Sequence, residues 1–137
     1  MTTTFVDTAF YVAFLSRRDA LNTAAVTASN EVRGRLLTTE YVLVEVGNWF
    51  CRASSKPLFL RLLDHLRRDA RTTILPASQA LLDAGLSLYS QRQDKDWSLT
   101  DCISFAVMRR QGVTDALSAD HHFEQAGFRL LLERPVP

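Results

Sequence analysis

The stretch Thr3-Thr4-Phe5-Val6-Asp7-Thr8-Ala9-Phe10-Tyr11-Val12-Ala13-Phe14-Leu15 decides the fold. Thr3 to Val6 is rich in β-branched and aromatic residues and predicts a strand. Thr8 to Leu15 predicts a helix. Between them stands one acid, Asp7, at the carboxyl end of the strand. In a parallel sheet covered by helices, the functional crevice lies beyond that end of the strands.

The same unit recurs along the chain. A helix is expected over Ala20 to Val32, then a short strand at Leu36-Leu37-Thr38, with Thr39 as the N-cap of a helix to about Cys51. Pro57 opens a helix whose Leu58, Phe59, Leu62, Leu63 and Leu66 recur at the spacing of a buried stripe. Thr72 to Leu75 is strand-like, and Ser78 caps a helix from Gln79 to about Gln91. Arg92 to Asp96 reads as a loop, Ser98 starts a helix to about Gln111, and Gly112 stops it. Asp115 to Ser118 predicts a strand, Asp120 to Ala126 a brief helix, and Phe128 to Leu132 a last strand. Strand and helix alternate to the end, which implies a largely parallel α/β sheet in one domain over residues 1–137.

Composition narrows the function classes. The 137 residues are 47% hydrophobic and 23% charged, enough apolar material for a sizeable core, and the net charge of +1 excludes a polybasic arm or an acidic solvating chain. Cys51 and Cys102 are far apart and lack metal-ligand spacing, which argues against a zinc module or disulfide scaffold. The apolar run Ala9 to Leu15 falls far short of the roughly 20 residues of a spanning helix. The expectation is a soluble, unexported, cytoplasmic protein with no membrane partner.

Four acids stand out. Asp7 follows the first strand, with a helix cap as its competing role. Glu45 interrupts the apolar run Val42-Leu43-Val44-Glu45-Val46 and needs a partner; Arg52 is one candidate, and Asn48, one turn on, could orient it. Asp101 occupies the last position of Ser98-Leu99-Thr100-Asp101, a capping-box pattern in which Asp is short for the reciprocal bond, so it could instead point outward. Asp120 stands at another strand-to-helix junction, two residues after Ser118, again with a cap as the rival.

Gathered at one sheet edge, four carboxylates would repel one another unless a divalent cation supplied the opposing charge. All-oxygen ligands suit Mg²⁺ or Mn²⁺, ions that bridge to phosphate and support phosphodiester or phosphoryl transfer. Setting these acids aside leaves 11 against 16 basic residues, of which 14 are Arg. Such a surplus favours a polyanionic partner, with Arg17, Arg18, Arg52 and Arg92 near the loops around the site.

The acids with their surroundings, Phe5-Val6-Asp7-Thr8, Thr38-Thr39-Glu40-Tyr41 leading to Glu45, Leu99-Thr100-Asp101-Cys102-Ile103-Ser104-Phe105 and Leu117-Ser118-Ala119-Asp120-His121-His122-Phe123, resemble a PIN domain. The likeness covers essentially the whole chain and is closest to the compact VapC-type toxins of type II toxin–antitoxin pairs. It implies a three-layer α/β/α sandwich with a mostly parallel sheet and a metal-dependent endoribonuclease. It also implies a homodimer held inactive by a small antitoxin. The family's metal-holding carboxylates carry over to Asp7, Glu45, Asp101 and Asp120. Asp7 and Asp101 are the foremost candidates for direct ligands, with Ser118, Thr8 and Asn48 in support.

Other residues receive plainer roles. Asp96 and Asp115 are assigned to a loop and a strand start, and Cys102 to the core. His121 and His122 invite a transition-metal reading, but neighbouring side chains at a helix start are expected to diverge, which favours a solvated or substrate-side role. Two rival functions stay open. A phosphatase or phosphotransferase with Asp7 as nucleophile would want a second Asp two residues on, where Ala9 stands. A non-catalytic RNA-binding module would keep the fold and the basic rim without cleavage.

Overall fold

The computed structural model describes residues 2–132. Strand β1 (Thr3–Val6) leads into α1 (Thr8–Leu15) and α2 (Asn22–Glu31), and β2 (Arg35–Thr39) into α3 (Glu40–Trp49) and α4 (Lys56–Arg68). Then follow β3 (Thr72–Leu75), α5 (Gln79–Gln91), α6 (Leu99–Gln111), β4 (Asp115–Leu117), α7 (His121–Gln125) and β5 (Arg129–Leu130). The five strands form one sheet in the order β3-β2-β1-β4-β5, and every pairing is parallel. The chain first winds from β1 out to β3, then crosses back to lay β4 on the other side of β1. Right-handed crossovers in opposite directions put helices on both faces. The point where the winding reverses lies between β1 and β4, where an α/β sheet of this kind opens a crevice at its carboxyl edge.

Local chemistry accounts for the element ends. Thr39 and Ser78 cap α3 and α5 through their side chains, accepting from the backbone N–H groups of Val42 and Leu81. Gly112 ends α6 in the left-handed region at φ 67°, a conformation open to glycine at no steric cost. The last strand is shorter than expected: only Arg129 and Leu130 pair with β4, since β4 itself spans three residues.

An aromatic cluster beneath the sheet edge ties the last helices to β1. Phe105 meets Phe123 edge to face at 4.9 Å and Trp97 at 5.0 Å, and Phe5 lies 6.4 Å from Phe123. All four rings are buried, and the Trp97 indole N–H donates to Gln125 Oε1 at 3.0 Å. The starts of α6 and α7 are thereby held in fixed relation to the end of β1. Helices α5 and α6 pack through Gly85, where a Cβ would collide with Ile103 Cγ1 and approach the Ile103 Cα to 3.1 Å.

Gly85→Ala therefore forces the two helices apart and is expected to destabilise the fold by about 1–3 kcal/mol, against the small gain Ala brings inside an exposed helix. Urea unfolding measures it; a variant as stable as the parent would disprove the close approach.

Candidate functional site

The acid expected at the carboxyl end of β1 lies beside the end of β4. The Asp7 backbone N–H donates to Leu117 O at 3.2 Å, fastening the two strand ends together. Asp7 occupies the N-cap position of α1 but makes no side-chain capping bond there; its Oδ2 instead accepts from Ser118 Oγ at 2.8 Å, across 111 residues of sequence. Ser118 Oγ in turn accepts from the Asp120 backbone N–H at 3.1 Å. One buried hydroxyl thus connects the acid of β1 with the acid after β4.

Asp120 and Asp101 are held by the helices they start. Asp120 Oδ1 accepts from the His122 backbone N–H at 2.9 Å and so caps α7. Ser98 and Asp101 form a reciprocal capping box: Ser98 Oγ accepts from the Asp101 N–H at 3.0 Å, and Asp101 Oδ2 accepts from the Ser98 N–H at 3.4 Å. The short Asp side chain does close the box, if loosely. For these two acids the capping and site roles are not alternatives, because a capping carboxylate keeps lone pairs free.

Glu45 is half-buried on α3, and its Oε1 accepts from Thr8 Oγ1 at 2.6 Å. Neither Arg52 nor Asn48 is its partner. Asn48 is exposed and lines a separate groove of about 650 Å³ with Leu43, Gly47 and Phe59, so its expected part in the site is corrected. A spacing of three on a helix leaves side chains about 60° apart, and here the two residues line different cavities.

Asp7, Thr8, Glu45, Asp101 and Asp120 line one cleft of about 440 Å³. Asp96, assigned above to a loop, is at its rim, as are Trp49 and Asp19. Asp115 faces elsewhere, in a forked pair with Arg129 at 2.9 and 3.0 Å. Cys102 is a buried free thiol in the core. Among the described residues no Lys or Arg lines the cleft. Arg17, Arg18 and Arg52 are exposed outside it, and Arg92 is engaged by Asp94 and lies 5.2 Å over the Trp97 ring.

The two histidine side chains do not diverge as expected, although one is exposed and the other faces the cleft, in keeping with solvated and substrate-side positions. His122 is directed into the cleft, with Nδ1 at 3.3 Å from Asp101 Oδ2 and 3.4 Å from Asp120 Oδ1. The His121 ring lies 4.4 Å from it, with Nδ1 at 3.7 Å from the same Asp120 oxygen. Divergence by about 100° per residue holds inside a helix, whereas these are its first two residues.

Burial pushes the Asp7 carboxyl up to about 7, and the charges of Asp101 and Asp120 add to the shift; the Ser118 hydroxyl and the Thr8 backbone oppose it. Burial and Asp120 likewise raise Asp101, with His122 opposing. This is the electrostatic signature of carboxylates crowded without a counter-charge. A divalent cation fits such an oxygen-rich set, and Asp7, Asp101, Asp120 and Glu45 are the residues that could hold one.

The family model of the PIN domain matches residues 4–129. The 23S rRNA-specific endonuclease VapC20 of Mycobacterium tuberculosis is 29% identical over 129 residues, covering 90% of this chain and 94% of that protein. The crystal structure of Mycobacterium tuberculosis VapC20, a sarcin–ricin loop cleaving toxin, superposes with a TM-score of 0.85 at 25% identity, over 98% of this chain and 100% of that one. VapBC2 of Rickettsia felis, bound to a promoter DNA fragment, gives 0.65 at 11% identity, over 94% and 96% of the two chains, and shares the fold. FitAcB of Neisseria gonorrhoeae does likewise, with 0.63 at 14% identity over 92% and 94%. The all-parallel sheet, the acid-lined cleft at its reversal point and the match across nearly the whole length agree: the chain belongs to the PIN domain family.

Proposed function

We propose that this chain is a metal-dependent endoribonuclease that hydrolyses RNA phosphodiester bonds, acting as one domain and as the toxin of a VapBC-type pair. The observation that carries the reading is the convergence of Asp7, Asp101 and Asp120, from three separate elements, on one cleft with no cationic side chain in its lining. The likeness to VapC20 over 90% of the chain supports RNA as substrate. The resemblance to VapC-type toxins supports a small antitoxin partner and a homodimer, and the two separate free cysteines support a reducing, cytoplasmic setting. No helix among the described residues is long and apolar enough to cross a membrane.

Asp7, Asp101, Asp120 and Glu45 are assigned to hold Mg²⁺ or Mn²⁺, directly or through water. A bound divalent ion supplies Lewis-acid polarisation of the scissile phosphate and lowers the pKa of water. The protein supplies fixed geometry. Ser118 holds Asp7 Oδ2, Thr8 holds Glu45 Oε1, and the amides of Ser98 and His122 hold Asp101 and Asp120, so no carboxylate has to be ordered when substrate arrives. Burial around Asp7 excludes competing water and strengthens every charge interaction in the cleft.

Purified protein is expected to cut RNA with Mg²⁺ or Mn²⁺ and to stop in EDTA. Asp7→Asn and Asp101→Asn should each lower kcat/KM by roughly 100-fold or more while RNA binding persists. RNA binding by the intact protein with no metal-dependent cut would instead establish the non-catalytic module.

The raised Asp7 pKa gives a second test, on cation-free protein. A folded-state pKa of about 7 above the unfolded value near 3.8 means that the folded chain retains a proton the unfolded chain has lost. The associated stability is complete below about pH 4 and disappears as pH rises through about 7. Asp7→Asn has no such dependence. In EDTA, the variant's melting temperature should gain on the parent's steadily between about pH 4 and pH 7, with a stability slope near ~1.4 kcal/mol per pH unit. A difference that stays flat across that window would refute the assignment of a buried, charge-crowded Asp7.

A further inference from the structure

Two of the chain's three histidines are adjacent in sequence and share one carboxylate, Asp120, a combination that cation binding by acids alone does not require. The His122 side chain is only 20% exposed, and its Nδ1 stands between Asp101 Oδ2 and Asp120 Oδ1, at 3.3 and 3.4 Å. The His121 Nδ1 approaches Asp120 Oδ1 to 3.7 Å. One ligand atom from each of Asp120, His121 and His122 lies within 4.8 Å of the others.

These spacings are those of a coordination shell. Two donors each about 2.1 Å from a shared ion are about 3.0 Å apart at a right angle and about 3.4 Å apart at a tetrahedral angle. The separations of 3.3 and 3.4 Å from His122 to the two acids fall within this range and the 3.7 Å from His121 to Asp120 just beyond it, so a small closure of exposed His121 would bring Asp120, His121 and His122 to one centre, with Asp101 beside His122. The arrangement is also built rather than accidental. The Asp120 cap on the His122 N–H fixes the start of α7, and Phe123, the next residue, is fully buried in the aromatic cluster. The backbone of His122 is therefore fixed beside the two acids.

Imidazole nitrogen changes which ion is preferred. Mg²⁺ is a hard ion that takes oxygen and holds its waters, whereas Mn²⁺, Co²⁺ and Zn²⁺ accept imidazole, with affinity rising along that series up to Co²⁺ and staying high at Zn²⁺. We propose that His122, assisted by His121, is a cation ligand together with Asp101 and Asp120, and that the cleft takes a transition-metal ion in preference to Mg²⁺. The proposal rests on the reading that these carboxylates hold a divalent cation. The alternative for His122 is a hydrogen-bond donor that links the two acids in the protein without entering the metal's shell.

The test needs no RNA. Co²⁺, Mn²⁺ and Mg²⁺ are titrated into chelator-stripped protein by calorimetry, and imidazole signals are followed by NMR with Co²⁺ as paramagnetic probe. The expected result is a Kd for Co²⁺ at least about tenfold below that for Mg²⁺. Large paramagnetic shifts are expected at His121 and His122 but not at His65, which lies on α4 in another cavity. His122→Asn should narrow the Co²⁺-to-Mg²⁺ preference to within about threefold, and exposed His121→Asn should narrow it less. Equal Kd values for Co²⁺ and Mg²⁺ in the wild type, an unchanged preference in His122→Asn, or equal shifts at all three histidines would overturn the proposal. The wild-type NMR arm decides even if a variant folds poorly. Histidine ligation without RNA cleavage would keep this inference and end the nuclease reading; Mg²⁺-supported cleavage with no metal preference would do the reverse.

Discussion

The hydrogen bond from Ser118 to Asp7 is the constraint around which the site is organised. It joins a carboxylate at the end of β1 to a hydroxyl at the end of β4, strands that touch only because the sheet reverses direction between them. A neutral hydroxyl is a weak partner for a buried charge, and Asp101 and Asp120 add repulsion. The fold thus places its most enclosed acid where negative charge is least welcome. That is an expense in stability which a merely structural Asp would not incur, and it marks the place as one meant for a cation.

The acids differ in how the backbone compensates them. Asp101 and Asp120 each accept an N–H at the start of a helix, where unpaired amides favour negative charge. Asp7, although it stands at the N-cap of α1, makes no side-chain capping bond and is held by the Ser118 hydroxyl, with the Thr8 backbone also favouring its charge. Burial is the first cause of the upward shift at Asp7 and at Asp101 alike and a neighbouring carboxylate the second, while His122 and the Ser98 backbone oppose it at Asp101. Capping, often taken as the explanation that displaces a functional role, here prepares two of the acids for it.

Most of the fold was legible because its signals are local. Periodicity, the caps at Thr39, Ser78 and Ser98 and the stop at Gly112 placed α1, α5 and α6 with the bounds observed. The four acids were legible because each interrupts a pattern at a strand end, a helix start or an apolar face. What remained hidden depended on contacts between distant residues. Thr8, 37 residues from Glu45, supplies the bond that helical spacing suggested for Asn48. Asp96 reaches the cleft only through the path of its loop. The approach of both histidines to Asp120 was hidden because an interior helix rule was applied to a terminus, where the cap on Asp120 sets the course of the backbone.

The location of positive charge follows from the same physics. A Lys or Arg in the cleft would relieve Asp7 and Asp101, but it would also occupy the negative potential that attracts a divalent ion, and a tethered monovalent group cannot be displaced by mass action. The lining has none among the described residues, and Arg92, four residues before Asp96, is drawn off by Asp94 and the Trp97 face. The groups that can balance the carboxylates are then a proton on Asp7, the imidazoles at the start of α7, or an incoming cation. The first two can yield to the third, each by giving up a proton, from the Asp7 carboxyl or from the imidazole nitrogen that would then face the ion. Keeping fixed cations outside is what leaves the cleft able to exchange one form of compensation for another.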